Sequence, residues 1–122
     1  MASPTSDRDE EGGVRNVLRQ ELPNRRFAMG IPFVHDGMKF HANVGFFPDE
    51  RIAEIFITAV KTGTDIDATV REASTILSLA LQFGADSNKI RLALPRNEGG
   101  EPQTALGTLM DLLAETKTSE AA

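Results

Sequence analysis

From Phe27 onward, large apolar side chains recur at every second position. Phe27, Met29, Ile31 and Phe33 alternate with Ala28, Gly30 and Pro32. Beyond Asp36-Gly37, the series Met38, Phe40, Ala42, Val44 and Phe46 alternates with Lys39, His41, Asn43 and Gly45. A period of two marks a strand with one buried face, and Asp-Gly between two such runs favours a two-residue type I′ hairpin. That loop pairs His35 with Met38, Phe33 with Phe40, Ile31 with Ala42, Met29 with Val44 and Phe27 with Phe46. A slip of one residue would set apolar against polar throughout, so the register is well specified. Pro48-Asp49-Glu50-Arg51 marks a second turn. Pairing Phe47 with Ile52 across it predicts a third strand that buries Ala53, Ile55, Ile57 and Ala59. The opposite sheet face then carries Phe47, Ile52, Phe56 and Val60 beside Glu54, Thr58, His41 and Asn43.

At Thr64 the period becomes helical. Thr64 is a good N-cap, and Asp67 completes a capping-box-like pair. Ile66, Val70, Ala73, Leu77 and Ala80 form one stripe, which Ile76, Leu79 and Phe83 widen, and Gly84 ends the helix as a left-handed cap. Asp86 caps a shorter segment, Ser87 to Leu94, stopped by Pro95. Pro102 suits the opening of a last helix whose buried stripe is Leu106, Leu109, Met110 and Leu113. Within it, Gly107 costs about 1 kcal/mol relative to Ala. Strands first and helices afterwards predict an α+β fold: a three-stranded antiparallel β-meander followed by two or three α-helices packed on one sheet face.

The same pattern divides the chain. Residues 1–21 read as a flexible N-terminal arm, rich in Ser, Pro, Asp, Glu and Gly at its start. Val14, Val17, Leu18 and Leu22 have helical spacing, which leaves a short helix or an ordered arm open. Residues 22–115 form the α+β domain, and residues 116–122 read as a disordered tail. At 122 residues the chain makes one domain.

Composition removes several chemistries. There is no cysteine, which excludes disulfides, thiolate metal sites and cysteine nucleophiles. The formal net charge is -5, from 18 acidic and 13 basic residues, and that argues against nucleic acid as a partner. No run approaches the roughly 18 apolar residues of a membrane span, and the N-terminus lacks an apolar signal core. A cytoplasmic protein with no membrane contact is the expectation.

Chemistry-bearing residues are few. His35 and His41 fall on opposite sheet faces in this register, so no shared metal and no metal site are expected. Neither shows the nucleophile and orienting carboxylate that catalysis needs. No catalytic residue and no cofactor is therefore assigned, and the reading leans away from an enzyme. Phe47, Ile52, Glu54, Phe56 and Val60 form an interface candidate, because an exposed patch of that size usually marks an association surface. The alternative is that the N-terminal arm, with Val17, Leu18 and Leu22, or the C-terminal helix covers it. Arg25 and Arg26, with Lys61, Gly63 and Thr64 at a helix start, form a weaker anion-binding candidate.

Several pieces together are similar to a known domain. They are Leu22-Pro23-Asn24-Arg25-Arg26, the Asp36-Gly37 hairpin, Val44-Gly45-Phe46-Phe47-Pro48-Asp49 and Ala53-Glu54-Ile55-Phe56-Ile57. Lys61-Thr62-Gly63-Thr64 and Leu77-Ser78-Leu79-Ala80-Leu81-Gln82-Phe83-Gly84 complete the set. In this order they resemble the TSCPD domain found near the C-terminus of vitamin B12-dependent (class II) ribonucleotide reductases, over roughly Leu22 to Glu115. The Thr-Ser-Cys-Pro-Asp motif that names the domain has no counterpart here. The resemblance implies an accessory or assembly domain, non-catalytic by itself, that acts through protein–protein contacts. Its expected partner is a second copy or a larger protein, including a ribonucleotide reductase supplied in trans. An alternative is a nucleotide or phosphate-ligand sensor linked to deoxyribonucleotide synthesis.

Overall fold

The computed structural model describes residues 18–61 and 63–121, with side chains as far as Thr116. Three strands, β1 (Ala28–His35), β2 (Met38–Phe46) and β3 (Ile52–Ala59), form an antiparallel sheet in the order β1-β2-β3. Three helices follow: α1 (Asp65–Gln82), α2 (Ser87–Ala93) and α3 (Ala105–Ala121). This is the α+β arrangement that the change of period predicts. The first hairpin has the expected register, from His35 opposite Met38 to Met29 opposite Val44. Its turn places Asp36 and Gly37 at φ 53° and 78°, the left-handed pair that a type I′ turn requires.

The second hairpin differs from the expectation. The Phe47 N–H donates to the Arg51 carbonyl at 2.8 Å, and the Glu50 N–H donates to the Phe47 carbonyl at 2.8 Å. Glu50 sits at φ 75°. The loop is therefore Pro48-Asp49-Glu50, a tight turn closed by a left-handed residue. That shortening moves the pairing by one, so Ile52 lies opposite Phe46 rather than Phe47. An irregularity at Gly45/Phe46 then accommodates Ala53 and restores Glu54 opposite Gly45. Ile55, Ile57 and Ala59 return to the buried face, as read from sequence. Phe47 does not join the open face, being only 2% exposed, and Ile52 packs against the core.

α1 lies along β3 and closes its outer edge. Ser78 Oγ accepts from the Ile55 N–H at 2.8 Å and donates to the Ile55 carbonyl at 2.9 Å. Ser74 Oγ accepts from the Ile57 N–H at 3.1 Å. The Asp67 carboxylate accepts from the Ala59 N–H at 2.9 Å, and Gln82 Nε2 donates to the Ala53 carbonyl at 3.1 Å. The strides match. Four helical residues rise about 6 Å and two strand residues advance about 6.6–6.8 Å, so Ser74, Ser78 and Gln82 meet alternate strand residues in antiparallel order. These residues and Asp67 are the buried polar side chains among the described residues. Between them Val70, Leu77 and Leu81 reach the core, where Leu109, Met110 and Leu113 of α3 pack beside sheet residues Phe33, Val44 and Ile57.

Outside this core the remaining pieces are pinned locally. Gln20 N–H donates to the Gln82 carbonyl at 2.7 Å, so residues 18–20, which are not helical, are pinned at the C-terminus of α1. Val14 and Val17 lie outside the described residues. α3 continues to Ala121, past Thr116 where the sequence reading begins a disordered tail. In α3, Gly107 is buried, and a Cβ there would stand 3.0 Å from Pro102 Cβ. Close approach of the preceding loop accounts for a glycine that helix propensity alone disfavours.

Replacing Ser78 with alanine leaves both polar groups of Ile55 buried and unpaired. The expected loss is about 1–3 kcal/mol, read as a lower urea midpoint with an unchanged slope. A Ser74→Ala change, which removes one strand bond, should cost less.

Candidate functional site

An open groove of about 900 Å3 lies at the Ile52 end of β3. Four separate pieces of chain converge on it: the segment Pro23 to Phe27, the turn after β2, residues Ser87 to Arg91 of α2, and the middle of α3, Met110 to Thr116. Its floor is apolar, with Phe27, Met29, Phe46, Ile52, Met110 and Leu113. Phe27 is 66% exposed and tilts against Phe46 at a centroid distance of 5.4 Å. Around this floor stand Arg25, Arg26, Arg51 and Arg91, with Glu50 as an acidic member.

Each arginine except Arg25 is held by a carboxylate that does not line the groove. Arg26 Nε donates to Glu54 Oε2 at 2.7 Å and Nη1 donates to the Pro23 carbonyl at 2.9 Å. The Glu54 carboxylate lies directly over Gly45, where a Cβ would come within 2.7 Å of Oε2. Gly45 is thus the space that Glu54 needs to reach Arg26. Arg51 Nε donates to Asp49 Oδ2 at 2.7 Å, and its guanidinium lies 4.6 Å above the Phe47 ring centroid. Arg91 reaches Asp111 at 3.3 Å, where Arg96 also donates two hydrogen bonds at 2.7 and 3.0 Å. The Arg96 guanidinium and then Arg91 hold the Asp111 carboxyl below its ordinary value, against the opposing effect of burial. Arg25 has no hydrogen-bond partner among the described residues.

The sequence-derived candidates separate into three places. Arg25 and Arg26 line the groove together with Ile52 and Phe47. Glu54 is engaged by Arg26, with its side chain only 13% exposed. Phe56 and Val60 stand exposed on the sheet face away from α3, at 48% and 64%. Lys61, Gly63 and Thr64 lie beyond the other end of β3, so roughly 23 Å of strand separates them from the groove. Arg51 and Arg91 were not singled out from sequence. Arg91 arrives from α2 through tertiary packing, and no local spacing announces it.

At the α1 start, Thr64 Oγ1 accepts from the Asp67 N–H at 3.1 Å, the expected cap. The Asp67 carboxylate does not close a capping box. It accepts from the Ala59 N–H, and Arg71 Nε donates to it at 3.2 Å. The positive end of the helix dipole therefore already faces the chain's own Asp65 and Asp67. The histidines do not meet. His35 Nε2 donates to the Gln103 carbonyl at 3.2 Å, and Nδ1 lies 2.8 Å from Thr108 Oγ1, tying the first hairpin to α3. His41 leans over Gly30 on the other face. No group of three or more potential metal ligands occurs among the described residues, and none of their helices is long and apolar enough to cross a membrane.

Set against known proteins, the chain is similar to a short region of two vitamin B12-dependent ribonucleotide reductases. With the enzyme of Rhodopirellula baltica it shares 36% identity over 66 residues, which is 54% of this chain and 6% of that protein. With the enzyme of Agrobacterium fabrum it shares 38% identity over 66 residues, again 54% of this chain and 5% of the relative. Over this stretch the chain is related to a small part of a ribonucleotide reductase. No family model matches the chain, and no solved structure does.

The bond from Ala59 and, after it, the Arg71 guanidinium hold the Asp67 carboxyl below its ordinary value. The unfolded chain therefore takes up a proton at Asp67 before the folded one does. The stabilisation is complete above the unfolded value of about 3.9 and is lost as pH falls through the lower folded value. Asp49 and Asp111 are shifted in the same direction. Thermal melts should thus be flat near neutrality and fall steeply below about pH 4. An Asp67→Asn variant should be less stable at neutral pH, fall less steeply in acid, and converge with the parent there. Parallel curves would contradict this role for the Asp67 charge.

Proposed function

We propose that this chain is an accessory module related to the TSCPD domain of B12-dependent ribonucleotide reductases, performing no chemistry alone and acting through contacts with protein. The observation that carries this reading is the similarity itself. Over half of the chain resembles a stretch that makes up only a twentieth or so of a large enzyme. Such a piece, in this reading, serves within a larger assembly. In this reading the partner is a second copy or a reductase supplied in trans, in the cytoplasm.

The exposed sheet face supports contact as the mode of action. Phe56 and Val60 project from it, with Val34 57% exposed. Gly30 and Gly45 give the His41 and Glu54 side chains room to lie across the sheet. The result is a level surface with apolar relief, suited to packing against another protein surface. Glu54 would form its charged margin.

Phe56→Asp tests the reading. The side chain is half-exposed, so the variant should fold with little change in melting temperature. Purified B12-dependent reductase immobilised on a sensor should bind the parent chain and lose at least tenfold in affinity for the variant, about 1.4 kcal/mol. A parent chain that is monomeric by light scattering and does not bind the reductase contradicts the proposal.

A further inference from the structure

We propose that the groove between the Arg25–Phe27 segment, α2 and α3 binds a small aromatic oxyanion, a flat ring bearing a phosphate or carboxylate. The inference is independent of the accessory-module reading, since the groove and the Phe56 face are different surfaces.

Three features of the groove specify that chemistry. Its volume, about 900 Å3, is on the scale of small-ligand sites, which run to roughly 1,000 Å3. Its floor offers the Phe27 ring, largely exposed yet braced by Phe46, as a stacking platform. Met29 beside it is only partly buried and unbranched, and adjusts to the outline of a bound ring.

The rim supplies the complement to a negative charge. Arg25 lines the groove with no partner among the described residues. Arg26 and Arg51 stand on the same rim already oriented, because Glu54 and Asp49 hold them by 2.7 Å contacts. Those carboxylates and Glu50 offset much of the rim's positive charge, so a free inorganic ion gains little from the field alone. An anion carrying a ring gains the apolar floor as well, and Arg25 can present two parallel donors to a phosphate or carboxylate. The site therefore selects for both halves of the ligand at once.

The experiment is an NMR titration of the full chain with phenyl phosphate and with benzoate, and separately with inorganic phosphate and benzyl alcohol. The ring-bearing anions should give saturable shifts at Phe27, Phe46, Arg51 and Arg91, at least tenfold tighter than inorganic phosphate or benzyl alcohol. The tighter of phenyl phosphate and benzoate identifies the oxyanion. Arg25→Ala should bind both anions at least fivefold more weakly while leaving benzyl alcohol unchanged. Phe27→Ala should weaken every ring-bearing probe. Both side chains are exposed, so unchanged melting temperatures confirm that the variants are folded. The proposal is overturned if millimolar ring-bearing anions give no saturable shift, if inorganic phosphate alone binds as tightly, or if Arg25→Ala binds like the parent. Failure here would leave reductase binding through the Phe56 face untouched, and the reverse also holds.

Discussion

The outer edge of β3 is the constraint on which this structure depends. Ile55, Ile57 and Ala59 turn their N–H groups away from β2 and are almost fully buried, where an unpaired backbone group is costly. A fourth strand would satisfy them. Here helix side chains do so instead, spaced so that Ser74, Ser78 and Gln82 keep step with alternate strand residues. Ser78 acts as a strand residue would, accepting from and donating to the same backbone position. An edge closed in this way cannot recruit another strand, so it is also protected against edge-to-edge association.

The remaining surfaces follow from that choice. With α1 committed to the edge of β3, α3 covers one sheet face, and the other face is left with Phe56, Val34 and Val60 outward. β1 is the other edge of the sheet and carries Pro32, a residue that edge strands tolerate. The short second turn brings Ile52 beside Phe46 and swings Arg51 over Phe47, which shapes one wall of the groove. Asp111 then anchors Arg91 and Arg96 to α3 and fixes the opposite wall. One sequence of packing decisions thus leaves two surfaces available, the level sheet face and the groove.

The hairpin, the helices and their caps were legible because period and turn chemistry act locally. Asp36-Gly37 set the first register, and Thr64, Asp86 and Gly84 marked helix ends where they occur. The second register was not legible, since choosing three loop residues over four depends on Glu50 adopting a left-handed conformation that its side chain does not announce. For the same reason the residue pattern puts Phe47 on the open face, whereas the folded chain buries it. The α1 face was half legible. Apolar periodicity found Val70 and Leu77, but Ile66, Ile76, Leu79 and Phe83 of the same broad stripe are exposed. The missed signal was polar: Ser74, Ser78 and Gln82 at i, i+4 and i+8 mark the side of α1 that meets β3. Of the groove, Arg25 and Arg26 were visible beside a strand, whereas Arg51 and Arg91 join them only through the folded chain.

Native-state hydrogen exchange tests the central claim most directly. If α1 side chains close the β3 edge, the amides of Ile55, Ile57 and Ala59 should exchange as slowly as those of Phe56 and Thr58, which face β2, and only through global unfolding. In a Ser78→Ala variant, the Ile55 amide should become the fastest of the set. Exchange of Ile55, Ile57 and Ala59 in the parent at the rates of Gly30 and Val34 on the β1 edge would contradict it.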